Sequence, residues 1–274
     1  TQTRSGLRRK VFGSANPKDF KVALIRIVDD ISGLDMFGSS DSKSGGQRKG
    51  PEDKQERMWL DSIEIATKVL QNEPVLKNAN TYWILNRVQD ERVLAKVKEL
   101  LEIAKQPYEI IPFDRRHYCN IKPDINETLK FAASYYRVDR AMQKTMQEYF
   151  FRSRLEYLIN YSQSRNMALS IGRRLGARWT LPLDANCIMT STVWRKLIES
   201  LATFGPNHIY AALPTSVTYL REHGLKWATS DQTLSVFPQL AVRCDSCNAF
   251  DPRTRVGLAR GDFITRSGWS KAKL

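Results

Sequence analysis

Residues 165–186 read RNMALSIGRRLGARWTLPLDAN, and this stretch is the most informative part of the chain about its fold. Its first half has the apolar periodicity of a helix. Residues 179–183 are an apolar run that is typical of a buried strand. That strand leads into Asp184 and Asn186, a carboxylate and an amide one residue apart, and such oxygens are what hard divalent cations bind. The stretch therefore predicts a helix, a buried strand and a metal site at the strand's end.

Apolar runs upstream predict three more strands with helices between them. Residues 21–28, 81–88 and 108–113 are β-branched and apolar, whereas residues 58–72 and 91–105 have the amphipathic pattern of helices. This alternation predicts a mostly parallel central sheet flanked by helices, with the active site at the carboxyl ends of the strands. The polar residues that follow the predicted strands are Asp29, Asp30, Asn86, Arg87, Asp114 and Asp184.

The remaining segments extend the same domain. A helix is predicted over residues 191–204, and short strands are predicted over 208–214 and 239–243. Residues 37–50 are rich in Gly, Ser and Lys and predict a flexible loop, while residues 251–274 lack periodicity and predict a loop-like tail. Without an internal repeat, residues 1–274 predict a single α/β domain of Rossmann-like architecture.

The chain is strongly basic, with a net charge of +14 and an isoelectric point near 9.7. Residues 115–178 hold 13 Lys and Arg against 5 Asp and Glu. Such a surplus favours a polyanionic partner, and aromatic residues interleaved with it indicate nucleic acid, so DNA is the predicted partner. The alternative is that the rings are core and the cations are a solvated face. The residues predicted to bind nucleic acid are Arg137, Arg140, Lys144, Arg152 and Arg154.

Several classes of protein lack their sequence signal here. No glycine-rich dinucleotide or P-loop motif occurs, and none of the three histidines has a zinc-hydrolase context. No apolar run reaches about 18 residues and no secretory signal is seen, so no membrane association is predicted. The four cysteines predict reduced thiols and a cytoplasmic location, or the host's cytoplasm if the protein is phage-encoded. A zinc site from His117, Cys119, Cys244 and Cys247 is the weaker alternative.

Four segments follow one another in an order that resembles the GT-A-fold nucleotide-sugar glycosyltransferases. They are KVALIRIV, TYWILNRVQDER, YEIIPF and RNMALSIGRRLGARWTLPLDANC. That family's pattern is Arg-Asn, a helix ending at a small residue, and a strand ending in Asp-x-Asp or Asp-x-Asn. The resemblance spans about three-quarters of the chain. It implies a nucleotide pocket lined by Arg26, Asn86 and Arg87, and nucleotide-sugar contacts from Arg165 and Asn166. It further implies Mn²⁺ or Mg²⁺ held by Asp184 and Asn186, where the Asn replaces the commoner Asp.

Glycosyl transfer to a hydroxyl also needs a base in an inverting reaction. Asp245 is our predicted base because it follows a predicted strand, although a salt bridge to Arg243 is an equal alternative. The chain resembles glucosyltransferases associated with base-oxidising dioxygenases, which implies a UDP-sugar donor and a hydroxymethyl-pyrimidine acceptor in DNA. The alternatives are a protein or glycan acceptor, a nucleic-acid-binding module without turnover, and nucleotidyl transfer.

Overall fold

The structure is a computed structural model, and it describes the chain in several ranges. These ranges are residues 21–29, 51–122, 152–185, 187–204, 210–213, 218–219, 239–246 and 249–250. The predicted loop over 37–50 and the predicted tail over 251–274 lie outside them. In the described ranges no helix has the length and apolar character needed to cross a membrane.

The described elements alternate between strands and helices along most of the chain. The strands are β1 (Val22–Asp29), β2 (Ala79–Asn86), β3 (Tyr108–Ile111), β4 (Trp179–Asp184), β5 (Cys187–Ile188), β6 (Tyr210–Leu213), β7 (Thr218–Tyr219) and β8 (Gln239–Arg243). The helices are α1 (Pro51–Asn72), α2 (Glu91–Ile103), α3 (Arg115–Asn120), α4 (Arg152–Ile159), α5 (Tyr161–Arg174) and α6 (Ser191–Thr203).

Six strands form one mixed sheet in the order β3-β2-β1-β4-β8-β6, while β5 and β7 form a small second sheet. The β1–β2, β2–β3 and β1–β4 pairs are parallel, whereas β8 runs antiparallel to both β4 and β6. The predicted α/β fold with a mostly parallel central sheet flanked by helices is therefore confirmed in the described ranges.

Helices cover both faces of this sheet, and strand alternation sorts the core between them. The face towards α1, α2 and α6 carries Val22, Leu24, Val28, Trp83, Leu85, Trp179, Leu181 and Leu183. The face towards α5 carries Ala23, Ile25, Ile27, Ile84 and Ile111, which pack on Ala168 and Ile171. Because β1 is buried on both faces, it reads as a continuous apolar run, as the strands of parallel sheets do.

The ends of the elements have local physical causes. β2 ends at Asn86 rather than at 88, because Arg87 adopts a left-handed backbone with φ of 48° and leaves the strand. The side chains of Asp90 and Thr190 cap α2 and α6, accepting from the backbone N–H of Arg92 and Val193. Pro182 lies in β4 beyond its ladder with β8, which pairs Trp179 and Thr180, so this proline is compatible with the described β4–β8 pairing.

Candidate functional site at the carboxyl edge of the sheet

The two ends of residues 165–186 meet in space, at Arg165 and Asp184. α5 runs back across the sheet before β4 begins, so the start of the helix lies beside the end of the strand. The guanidinium of Arg165 forms an ion pair with the Asp184 carboxylate. The Arg165 side chain is 3% exposed and that of Asp184 is 26% exposed. The buried guanidinium of Arg165 is thus paired with a carboxylate that is partly exposed to solvent.

Tyr161 and Ser164 complete the surroundings of Arg165. The guanidinium carbon of Arg165 lies 3.6 Å from the centroid of the Tyr161 ring, which is a cation–π contact. Arg165 Nη1 also donates to Ser164 Oγ at 3.3 Å. Stacking and hydrogen bonding hold the guanidinium plane in one orientation, with its charge directed at the end of β4.

This ion pair lies where the strand order of the sheet reverses. β1 is the central strand from which the chain builds outward to β2 and β3 on one side, and β4 follows on the other. Ala185 N donates to Ile27 O at 2.8 Å, which joins the ends of β4 and β1. In open α/β sheets, ligands bind outside the carboxyl ends of the strands at such a switch point. Asp184 is therefore at the expected place for a ligand-binding residue.

Asn86 and Asn160 form a second buried polar pair at the same edge. Asn160 Nδ2 donates to Asn86 Oδ1 at 2.8 Å, and Asn86 Nδ2 donates to Ile159 O at 3.0 Å. Asn160 has a left-handed φ of 47°, as Arg87 does with 48°. Asn78 and Lys105, in the turns before β2 and β3, are left-handed as well, so the conformation is not special to this edge.

Arg87 follows Asn86 and is held against α4 and α5. Its guanidinium carbon lies 3.7 Å from the Tyr157 ring centroid, and its nitrogens donate to Tyr157 O and, at 3.1 Å, to Gln163 Oε1. Burial lowers the pKa of Arg87 from its ordinary value. That ordinary value lies far above neutrality, so the side chain remains a cation at the site.

The expectation for Arg26 needs correction. The sequence predicts that it lines a nucleotide pocket, but its side chain is fully buried and forms an ion pair with Glu73. Arg26 Nη1 donates to Cys187 O at 2.6 Å, and Glu73 also accepts from Met189 N at 3.0 Å. Because these two backbone groups come shortly after Asp184, the Arg26–Glu73 pair anchors the segment that follows β4 and does not face a ligand.

The Asn166 side chain holds the chain after β8 in place through two hydrogen bonds to the backbone of Phe250. Its Nδ2 donates to Phe250 O at 2.9 Å, and its Oδ1 accepts from Phe250 N at 2.6 Å. Both ends of the amide are therefore engaged with the backbone, whereas the sequence predicted contact with a nucleotide-sugar.

Replacing Asn166 by Asp is expected to lower the free energy of unfolding by about 1–3 kcal/mol, because a carboxylate oxygen would face Phe250 O without a proton to donate. Urea denaturation measures the change. Asn72→Asp is the matched control, since Asn72 is exposed and donates one hydrogen bond to Lys68 O. Equal losses of stability at the two sites would contradict a stabilising role for the Asn166–Phe250 hydrogen bonds.

The prediction of Asp245 as a base needs correction: because β8 runs antiparallel to β4, Asp245 lies at the opposite edge of the sheet from Asp184, and it is paired with Arg243. Arg243 Nε donates to Asp245 Oδ1 at 2.8 Å, and the Asp245 side chain is 39% exposed. Its neighbour Cys244 is buried and bonded to Thr180 Oγ1 at 2.9 Å. Burial raises the pKa of the Cys244 thiol above its ordinary value.

Most of the other predicted site residues fall outside the described ranges. Asn186, Arg137, Arg140, Lys144 and Cys247 are outside the described residues, and Arg152 is described by its backbone alone. Arg154 is described, and it donates to Ile121 O at 3.3 Å. Among the residues that the structure describes, no group of three His, Cys, Asp or Glu side chains is placed to hold a metal ion.

A cavity of about 400 Å³ lies between β3 and α5 and shares Gln163 and Asn166 with the site. This volume is within the usual range for small-molecule sites, about 300–1,000 Å³. Its other lining residues are Glu109, Ile110, Ile111, Pro112, Met167, Ser170 and Ile171. The cavity is therefore mostly apolar with a few polar groups.

Sequence reasoning missed Glu73, Tyr157, Asn160 and Tyr161. The pattern marked Tyr157 and Tyr161 as aromatic residues in a helical segment, but no motif indicated that each would stack on an arginine. Glu73 follows the end of α1 and carries no signal of a partner 47 residues earlier in the chain. These contacts depend on how the elements pack.

No protein-family model matches this sequence, and no curated protein matches it. Fold and site together define an α/β protein with a charged site at the carboxyl edge of a mostly parallel sheet.

Proposed function

We propose that this protein is a glycosyltransferase that moves a sugar from a nucleotide-sugar donor to a hydroxyl acceptor. The observation that carries the proposal is the position of Asp184. This partly exposed carboxylate ends β4 next to β1, where the strand order reverses, and is paired with the buried Arg165. Arg165 and Asp184, one residue from each half of the GT-A pattern, thus meet at one edge of the sheet.

The charges at this edge suit the chemistry of a diphosphate leaving group. When the bond to the anomeric carbon breaks, the diphosphate gains negative charge, and cations held in place beforehand stabilise it. Arg87 is such a cation, stacked on the Tyr157 ring, while the buried Arg165 is stacked on Tyr161 and orients Asp184. A guanidinium that is already oriented needs little rearrangement as the charge develops.

A divalent cation remains part of the prediction, through Asp184 and Asn186. The described donors alone do not make such a site, because Asp184 is a single carboxylate that already has Arg165 as its counter-ion. Hard cations usually take six or more oxygen ligands, several of them from the protein. The proposed stabilisation of the leaving group therefore rests on the protein's own cations, and dependence on Mn²⁺ or Mg²⁺ is an arm of the experiment below.

For the acceptor we propose a hydroxyl in nucleic acid, with a hydroxymethyl-pyrimidine in DNA as the specific candidate. The support is the charge surplus over residues 115–178. Asp245 is not proposed as the base, because it follows β8 beside Arg178 and Trp179 at the start of β4, the opposite edge of the sheet from Asp184. A nucleic-acid-binding module without turnover is the second candidate, since the same basic surplus favours it.

A thermal-shift panel of UDP- and GDP-sugars, with and without Mn²⁺, tests the donor. We expect one donor to raise the melting temperature, since a ligand at a hundredfold excess over Kd adds about 2.7 kcal/mol to the stability of the folded state. Asp184→Asn is expected to abolish that rise. The ligand-induced shift is compared rather than the melting temperature itself, because Asp184→Asn also leaves the buried Arg165 without its carboxylate partner.

Glu99→Gln is the control, because it removes a carboxylate from an ion pair with Lys96 on the exposed surface of α2. That variant is expected to keep the full donor-induced shift. A panel in which no nucleotide-sugar stabilises the protein would exclude the proposed function. A donor that stabilises wild type and Asp184→Asn equally would place the site elsewhere.

A further inference from the structure

We propose that α3 and α4 form a surface that binds the phosphate backbone of a nucleic acid. The surface, called the α3–α4 surface below, consists of Arg115, Arg116, Lys122 and Arg154. The surface would bind the nucleic-acid acceptor of the proposed glycosyltransferase. Only its role in sugar transfer rests on the proposed function. Binding to the surface is measured without any sugar transfer.

A cluster of aromatic rings joins the two helices and gives the surface a fixed shape. Tyr157 on α4 lies 5.0 Å from His117 and 6.0 Å from Tyr118 on α3, centroid to centroid. Tyr157 Oη accepts from Asp114 N at 2.9 Å and lies 3.2 Å from Asp114 O. Phe113 packs on Tyr118 at 5.5 Å. The cations of α3 are therefore presented by a packed helix pair rather than by an isolated turn.

The cations on this surface are not neutralised within the described part of the chain. Arg115, Arg116 and Lys122 are exposed, and the described residues include no ion pair to any of them. Elsewhere exposed cations do find carboxylates, as Lys96 does with Glu99. Asp114 is the one acidic residue of the sequence from 112 to 122, and its carboxylate is used to cap His117 N at 2.9 Å.

Arg154 extends the surface from α3 onto α4. Its guanidinium carbon lies 5.5 Å from the Tyr118 ring centroid, and its Nε donates to Ile121 O at 3.3 Å. These contacts hold the guanidinium against the end of α3. Three of the four cations are arginines, whose planar guanidinium group can bind a phosphate with two parallel hydrogen bonds.

The α3–α4 surface is continuous with the candidate site. Tyr157 connects the two. Its ring packs on His117 of α3, and the guanidinium carbon of Arg87 lies 3.7 Å from the centroid of the same ring. Arg87 directly follows Asn86 at the carboxyl end of β2. A nucleic acid bound to α3 and α4 would therefore lie beside the edge of the sheet where transfer is proposed.

The chemistry of the surface favours nucleic acid over an anionic membrane. Peripheral membrane helices expose large apolar side chains that enter the bilayer. In the described residues of α3 and α4 the aromatic rings pack on one another, and no aliphatic side chain there is exposed. Backbone phosphates of nucleic acid need no such insertion, because counterion release supplies the binding free energy.

Fluorescence anisotropy with a short labelled DNA duplex, titrated over a range of salt concentrations, tests the proposal. Arg115→Gln/Arg116→Gln is expected to weaken binding about tenfold at low salt. It is also expected to reduce the slope of log K against log salt by about 1.8, which is about 0.9 for each phosphate that is no longer neutralised. Both residues are exposed, and a circular dichroism melt is expected to match that of wild type.

The matched control is Lys77→Gln/Lys105→Gln, which removes the same net charge. Lys77 and Lys105 are exposed in the turns before β2 and β3, at the opposite edge of the sheet. We expect this control to keep the wild-type salt slope. Equal losses in both double variants would overturn the proposal, because they would reflect overall charge. Unchanged duplex binding by Arg115→Gln/Arg116→Gln would overturn it as well.

Two further arms separate this proposal from its rivals. Anionic vesicles in place of the duplex are expected to show little binding, and arginine-dependent binding to vesicles alone would overturn the assignment to nucleic acid. The donor-induced thermal shift is expected to persist in Arg115→Gln/Arg116→Gln. If the protein binds duplex through this surface but no nucleotide-sugar stabilises it, the nucleic-acid surface is supported and the proposed glycosyltransferase function is excluded.

Discussion

Replacing Glu73 by Leu is expected to lower the free energy of unfolding by about 3–5 kcal/mol, because the fully buried Arg26 loses its carboxylate partner. Glu73 accepts hydrogen bonds from Arg26 Nε at 3.1 Å and from Met189 N at 3.0 Å. Both donors would be left inside the protein without that acceptor. Urea denaturation followed by circular dichroism measures the loss.

The double variant Arg26→Met/Glu73→Leu separates the cost of an unpaired charge from the value of the pair. Removing both charges is expected to be less damaging than removing Glu73 alone, since no buried ion remains unpaired. Glu64→Gln is the exposed control on the same helix, because Glu64 pairs with Lys68 in an i, i+4 arrangement at the surface. That pair is expected to contribute about 0.5 kcal/mol or less. A Glu73→Leu effect of the same size as the control would contradict the buried ion pair.

Gly172→Ala is expected to give the second large loss, a net of about 2 kcal/mol. A Cβ at this position would lie 1.8 Å from Thr180 Oγ1 and 3.0 Å from Thr180 Cβ, so α5 would have to move away from β4. Over-packing of this kind costs about 1–3 kcal/mol, and so short an approach is expected at the upper end of that range. The higher helix propensity of Ala offsets about 1 kcal/mol.

Two companion variants identify the cause. Thr180→Ala removes the nearer atom, so Gly172→Ala is expected to cost less in that background than in wild type. Gly176→Ala is the comparison at the end of the same helix, where a Cβ would meet no atom within 4 Å but φ is +64°. Its expected loss, about 1 kcal/mol from the left-handed backbone, should not respond to Thr180→Ala. An identical Gly172→Ala cost in both backgrounds would exclude the clash.

Local patterns predicted the sheet well because its central strands β1 and β4 are buried on both faces. The prediction of 239–243 matches β8, and the strand predicted over 179–183 differs from β4 by one residue. The end of β2 was harder to place, because Val88 is apolar but the left-handed backbone at Arg87 ends the strand before it. Such a backbone conformation depends on the neighbours of Arg87 in α4, which lie far along the chain.

The candidate site was predicted less completely than the fold. Asp184 and Arg165 could both be identified from the sequence, because a strand end and a helix start are readable from the pattern. Their ion pair could not, and residue type instead predicted a metal at Asp184. Arg26 and Asn166 were predicted as ligand contacts, yet each is satisfied by groups of the protein itself. Residue type and strand position alone cannot distinguish a buried structural arginine from a binding one.

The amino-acid sequence by itself determined the alternation of strands and helices, the basic character of residues 115–178 and the presence of a carboxylate at the end of β4. These properties depend on neighbouring residues, since burial periodicity and net charge are local. The tertiary structure alone decided which charges are paired, which arginines are stacked on rings and which cations of α3 stay exposed. Those outcomes depend on contacts between residues distant in the chain, and packing rather than pattern determines them.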